Sequence, residues 1–429
     1  MPLAREKLAI LESTVNSRPE TLIGVEETAQ HIITKTTRLT EEPCQVEASE
    51  NDETQVREVT LYKGKDSLTR FYGYSYHRNL YQQFDQLREY IQQLKAQFPN
   101  INIFRDEIQS LKVTAHGPRS QISGTSTATD LDLRSLFPVR KLADELLNIY
   151  ITRFEATNRI LHLPTLLKEY NKYWNSPQTT TETTVTQLLL AMAAALSLRE
   201  NLTFDLKGRG RDAITPETAI IWIRACEAWI STSPYRPRPH SWTMLALNSL
   251  LAIAKRANHI QGNAFWIATG ALMRSAMAAG YHREPSGLAN ISIFHREMRR
   301  RLWATIVELD LQASLERGMP PSIREEDFNS RPPLNINDEA IHENTKESPT
   351  PMPLDFLTDT SFQASMYRSL GLRLRVCALI NNKQARTAES LFREALEIDE
   401  EITRALMAIP TTWIRTLKKG KTGSSDKHS

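Results

Sequence analysis

From about residue 136 onwards the apolar positions fall three and four apart, a spacing that predicts helix after helix. Pro138 opens a first segment carrying Leu142, Leu146, Leu147, Ile149 and Ile151, and the phrase Leu161 to Tyr170 continues it. Further helices are expected over 185–200, 215–230, 241–257 and 262–279, with Pro216 suited to a first turn and Gly280 as a stop. Two more are expected over 360–381 and 388–408. There Leu370, Leu374 and Ala378, then Leu391, Ala395, Ile398 and Ile402, form a stripe expected to face a core. Alternating β-branched runs are missing, so the fold class is all-α, a multi-helix array.

Upstream the pattern is thinner. Leu8, Leu11 and Val15 support a short amphipathic helix within an N-terminal helical or linker segment, 1–40. Residues 41–66 are acidic and polar and read as a linker. The helical domain is expected over 67–409, interrupted by a Ser, Thr and Gly-rich loop at 117–130, and 410–429 as a basic disordered tail. Near the front of the domain, Gly73 suits a tight turn and Ser75 a cap for the helix that follows.

The richest stretch runs from Phe294 to Pro333. Met298, Leu302, Ile306, Leu309 and Ala313 share one face of a helix that stops at Gly318 and must pack inward. Beside that face stand Glu297, Arg299, Arg300 and Arg301. An exposed Glu297–Arg301 pair contributes only about 0.2–0.5 kcal/mol, too little to require three consecutive arginines. Buried or half-buried pairing, with Asp310 or with acids on a neighbouring helix, is the stronger reason, because a guanidinium holds carboxylates with two bonds at once. A phosphate-binding stripe on DNA is the rival reading. It is disfavoured because consecutive helical residues point in different directions.

Composition narrows the chemistry. Of 429 residues, 40% are hydrophobic and 24% charged, which permits a sizeable core, and a net charge of +3 makes no polyanion-binding field of the whole surface. Cys44, Cys226 and Cys377 are too far apart for any zinc-ligand spacing. The sequence contains no Gly-x-Ser-x-Gly, His-Glu-x-x-His, Gly-x-x-x-x-Gly-Lys or Gly-x-Gly-x-x-Gly pattern. His282 lacks a second ligand at metal spacing, and Trp222, Trp229, Trp242, Trp266 and Trp303 sit in helical segments, where packing outweighs base stacking. The longest apolar run, Leu188–Leu196, is half of what a bilayer crossing needs, so no membrane association is expected.

In combination these motifs resemble the regulatory domain of fungal zinc-cluster transcription factors. That family's "E-x-R-R-R-x-W" helix, later Asp, "G-x-P" stop and "P-x-N-x-D" loop are matched by Glu297, Arg299, Arg300, Arg301, Trp303, Asp310, Gly318, Pro320, Asn335 and Asp338. Its "R-F/Y-x-G-x-S" turn is matched by Arg70, Gly73 and Ser75, and its "A-x-R-M-A-x-x-L-G-L-H-R-D" helix end by Gly280, His282 and Arg283, among others. Its "P-I-L-H-x-P-T-F" segment is matched at His162 and Pro164, with Arg159 in place of the leading proline and Leu166 in place of the aromatic. The resemblance implies a nuclear, non-enzymatic regulator of a fungal metabolic or biosynthetic gene set. Its partners would be another transcription factor or a second copy, a small-molecule effector, and DNA reached indirectly or through a missing module. No cofactor is expected in this chain, since zinc would enter only with the six-cysteine module that the three cysteines do not form. Two alternatives stay open: an interaction protein that modulates a full-length relative by dimerisation, and an all-α enzyme of unrecognised type.

Overall fold

The computed structural model describes residues 61–63, 69–71, 73, 75–76, 84–98, 132–198, 216–260, 264–288, 290–381 and 388–409. The expected segment 1–40, the loop 117–130 and the tail 410–429 lie outside these residues. Everything described belongs to one unit, Val59–Ser429.

The described part opens with a small antiparallel hairpin, β1 (Leu61–Lys63) on β2 (Thr69–Phe71), with Arg70 opposite Tyr62. The apolar spacing predicts no strand here, and 61–63 falls within the stretch that reads as linker. Three residues are too few for alternation to register as a pattern.

Helices dominate the rest. After α1 (Asp85–Gln97) comes α2 (Arg140–Tyr150), which passes through a π-helical turn, Ile151–Glu155, and one more turn to Asn158. Here the expected continuity into Leu161–Tyr170 fails. Arg159 adopts a left-handed conformation, φ 49°, and α3 (Leu163–Asn175) starts afresh with Pro164 in its first turn. Proline has no N–H to continue a preceding helix, and it serves well at a beginning.

Next come α4 (Glu182–Leu196), α5 (Pro216–Thr232), α6 (Trp242–Ala257), α7 (Phe265–Ala278) and α8 (Ile293–Arg317). Hydroxyls start three of them: Thr181 accepts from the Thr184 N–H at 3.2 Å, Ser241 from Met244 at 3.2 Å and Ser292 from His295 at 3.3 Å. Glycines stop two. Gly280 at φ 75° and Gly318 at φ 72° let the Tyr281 and Met319 N–H groups turn back to Ala276 and Ser314 at 3.0 and 2.9 Å.

The apolar run Leu188–Leu196 sits at the centre of the core, on α4, and α2, α5 and α6 pack around it. The companion layer is α7 along α8. Met298, Leu302, Ile306, Leu309 and Ala313 are all buried, as their spacing predicts.

The region expected as one helix over 360–381 is two, α9 (Ser361–Arg368) and α10 (Leu370–Asn381). At the break the Ser369 hydroxyl and the Arg373 guanidinium take the Met366 carbonyl at 3.0 and 2.8 Å, a local competitor to the helical ladder. Leu370 and Leu374 are buried, as expected. On α11 (Ala388–Met407) the expectation fails for most of the stripe: Ile398 is buried, whereas Leu391, Ala395 and Ile402 are exposed.

The front of the domain closes onto the far end of α8. The Gly73 N–H donates to the Arg317 carbonyl at 3.2 Å, and the Ser75 hydroxyl donates to the Leu315 carbonyl at 2.7 Å. Ser75 therefore satisfies a helix C-terminus distant in sequence and does not cap the next helix, whose N-cap position is Phe84. A side chain on Gly73 would place its Cβ 1.3 Å from the Gly318 carbonyl oxygen, so the two backbones cross where only glycine fits.

Candidate functional site

Each of the three consecutive arginines on α8 has its own destination. Arg299 reaches the end of α7, donating to the Ala279 carbonyl at 2.9 Å, and its guanidinium lies 3.9 Å from the centre of the Tyr281 ring. Arg300 binds Glu284 in the loop after α7, the Ser286 hydroxyl at 2.9 Å and Glu297 at 3.5 Å. Arg301 is fully buried and joins Glu297, at 3.1 Å, to Asp338, at 2.6 Å.

Asp338 is the point where the chain's distant parts meet. Its carboxylate accepts from Arg301, from the Arg159 guanidinium and from the Leu163 N–H at 3.0 Å. Its carbonyl lies 3.0 Å from His162 Nε2, while His162 Nδ1 lies 2.8 Å from the Thr165 hydroxyl. Burial alone would raise this carboxyl, but Arg301 and Arg159 hold it below the usual range. Three guanidinium groups, Arg159, Arg300 and Arg301, thus face three carboxylates, Glu284, Glu297 and Asp338. Glu284 has its partners at hand as well. Although partial burial opposes it, bonds from Arg300, Ser286 and the Arg331 N–H bring it down to about 2.

Glu155 is a seventh ionisable group, in the π turn. It accepts from the Tyr150 hydroxyl at 2.6 Å and the Leu161 N–H at 2.7 Å. Complete burial pushes it up to about 7, opposed chiefly by Arg159. The other charges around it already balance, so a proton on Glu155 leaves the junction neutral.

The remaining signature residues build walls. Asn335 bonds to the carbonyls of Met352, Pro353 and Phe356 at 3.0, 2.8 and 3.2 Å and accepts from Thr358 and Ser361, which folds the 352–361 loop over the junction. Asp310 does not meet the arginines, contrary to the expectation. Its carboxylate takes the N–H and hydroxyl of Ser322 at 2.9 and 2.8 Å, holding the chain just past Pro320 against α8. The acids that do meet the arginines lie on α8 itself and in loops, not on a neighbouring helix. Trp303 is fully buried, beside Phe328 at 5.9 Å and His282 at 6.3 Å. His282 titrates below the usual range because it is partly desolvated and beside Arg283, which is exposed.

Sequence reasoning passes over Glu155, Glu284 and Gln363. Only an acid inside an apolar window, Ile149–Tyr150–Ile151 before Glu155, offers a signal. Arg159 stands out in the sequence as a departure from a motif, and its place opposite Asp338 gives the departure a physical reason.

Among the described residues no group of three His, Cys, Asp or Glu side chains is arranged to hold a metal. Cys226 and Cys377 are buried on different helices, and burial raises both thiols, Cys377 to about 11. A six-cysteine zinc cluster does not fit this chain's residues.

The sequence model of the family described as the fungal specific transcription factor domain matches residues 147–409. This stretch holds α3 to α11 and all six paired charges of the junction. The chain belongs to that family. Members similar to it include transcription factor opdR of Penicillium oxalicum, 31% identical over 64% of this chain and 33% of that protein. Transcription factor asR3 of Sarocladium schorii is 32% identical over 63% of this chain and 30% of its own length. The Equisetin cluster transcription factor eqxF of Fusarium heterosporum is 28% identical over 70% of this chain and 43% of itself. The matches with opdR and asR3 thus span about a third of each relative. No solved structure matches the chain significantly. Among the described residues no helix is long and apolar enough to cross a membrane.

Proposed function

We propose that this chain is the regulatory portion of a nuclear transcription regulator governing a fungal metabolic or biosynthetic gene set. The observation that carries the reading is the family match over 147–409, together with the use of its charged signature as internal pairing. Names of relatives, such as the Equisetin cluster transcription factor, support the biosynthetic part.

In this reading the helical array has two arrangements, and an effector or protein partner that binds one preferentially shifts the balance. The chain acts without catalysis and without a cofactor of its own. DNA is reached through a partner or a separate zinc module. Fusing the full chain to a heterologous DNA-binding domain tests this: reporter output should move away from that of the DNA-binding domain alone. An unchanged reporter, with the fusion expressed and nuclear, overturns the proposal.

A second reading is favoured by the cysteine content. The three cysteines of these residues are too few for a six-cysteine reader, and a protein acting through this portion can pair with a full-length relative and silence it. Overexpression beside such a relative should then lower its target transcripts, and unaltered transcripts would dismiss this alternative.

A further inference from the structure

Between Thr345 and Met352 the chain runs along the surface from one anchored point to another. At the first, Thr345 and His342 exchange bonds of 2.9 and 2.8 Å; at the second, the Met352 N–H donates to the Asn335 carbonyl at 2.9 Å. Among the described residues, none of 346–351 makes a hydrogen bond or an ion pair. The segment reads Lys-Glu-Ser-Pro-Thr-Pro, and Ser348 and Thr350 are both exposed, each directly before a proline. A proline ring disfavours the helical region for the residue in front of it and biases that residue to an extended form. Two hydroxyls thus stand on a backbone that has no internal bond to break before it enters another protein's cleft.

The sequence has five serines or threonines before proline, and the fold treats them differently. Thr215 lies outside the described residues. Ser176 closes α3: its N–H donates to the Lys172 carbonyl at 2.9 Å, and its carbonyl accepts the Thr179 N–H at 3.1 Å. Ser233 is half-buried after α5, with its N–H on the Trp229 carbonyl at 2.9 Å and its hydroxyl accepting the Tyr235 N–H at 3.2 Å. An enzyme reaches either of these only when a helix end opens, and the cost of opening lowers the accessible fraction.

We infer that Ser348 and Thr350 are phosphorylation sites for a proline-directed protein kinase, one whose cleft receives a residue lacking an N–H directly after the target hydroxyl. In this step the hydroxyl oxygen attacks the γ-phosphorus of ATP. Its bond to phosphorus forms as the bond to the bridging oxygen breaks, ADP leaves, and the hydroxyl proton passes to the kinase's catalytic carboxylate. Each phosphate adds about 1.5–2 negative charges. Over 343–355 the chain already carries Glu343, Glu347 and Asp355 against Lys346, and no arginine occurs in 332–367. The guanidinium groups of the junction are engaged by carboxylates, so they offer the phosphates no free partner. The modification is therefore an outward anionic mark, suited to a partner surface that carries arginines. The inference rests on the regulatory reading for its purpose, since Met352 begins the loop that Asn335 folds over the junction.

The test treats the full chain with a recombinant mitogen-activated protein kinase and ATP, and compares each position with a synthetic peptide of its own sequence by mass spectrometry. Ser348 and Thr350 should be phosphorylated as fast in the folded chain as in their peptide, whereas Ser176 and Ser233 should lag behind theirs by at least about tenfold. Equal protection of all four, or no labelling of Ser348 and Thr350, overturns the inference. The reporter fusion recovered from a fungal host should carry phosphate on this segment, and bare hydroxyls at both positions there overturn it as well. Ser348→Ala with Thr350→Ala removes the mark and no internal bond, so this variant should melt as the wild type does. If its fusion drives the reporter as the phosphorylated wild type does, the modification stands and its regulatory purpose falls. A wild-type fusion that leaves the reporter unchanged removes the regulatory reading and leaves the modification standing.

Discussion

Arg301 shows how a single side chain decides what a charged motif means. Fully buried, it has two carboxylate partners, and removing it leaves two guanidinium groups, Arg159 and Arg300, for three carboxylates at the junction. Arg301→Met should therefore lower stability by about 3–5 kcal/mol, measured by urea unfolding of the full chain. Adding Glu297→Gln to that variant should recover part of the loss, because Arg159 then keeps Asp338 and Arg300 keeps Glu284, with no charge left uncompensated. A double variant no more stable than the single one would refute the view of the junction as paired charge. The sequence announces that Arg301 needs a buried partner, since an exposed i, i+4 pair contributes so little. It does not announce Asp338 or Arg159, because both stand outside regular helix and no periodicity links them to α8.

At the level of elements, starts and stops are more legible than packing. Pro216 at a first turn and Gly280 and Gly318 as stops are local signals that neighbours alone reveal, whereas the caps Thr181, Ser241 and Ser292 are seen only in the structure. The break at Ser369 hides because its cause, a hydroxyl and a guanidinium sharing the Met366 carbonyl, needs coordinates. The face of α11 fails for another reason: periodicity says that one side is apolar and is silent on what covers it. In this chain Phe392 is 68% exposed whereas Ile398 is 6% exposed. Phe392→Ser should thus change stability by no more than about 0.5 kcal/mol, while Leu188→Ala in the centre of α4 should cost about 2–5 kcal/mol. Chemical denaturation midpoints of the two variants check the contrast, and a large loss at Phe392 would mean that α11 is packed in solution.

For the whole molecule, acids of opposite displacement set the response to pH. Glu284 and Asp338 titrate below their ordinary values when folded. Their contribution is present above the unfolded value and is lost as pH falls, for Glu284 between 4.5 and about 2. Glu155 runs the other way. Between 4.5 and about 7 the folded chain keeps a proton that the unfolded chain has released, so stability declines as pH rises through this window. Thermal melts of the wild type should accordingly drop between about pH 4.5 and pH 7, by a free energy on the order of 3 kcal/mol from this group. Glu155→Gln should flatten that limb and leave the acid limb in place. An unchanged slope in the variant would show that Glu155 is ionised throughout.

The crossing of Gly73 over Gly318 has a consequence in time. Ser75 leaves the ribosome 240 residues before the Leu315 carbonyl to which it donates. At ordinary elongation rates the interval is roughly ten seconds to a minute. The nascent front end must wait that long for its anchor, so closure of this domain is paced by translation of α8 and not by the hairpin's own formation.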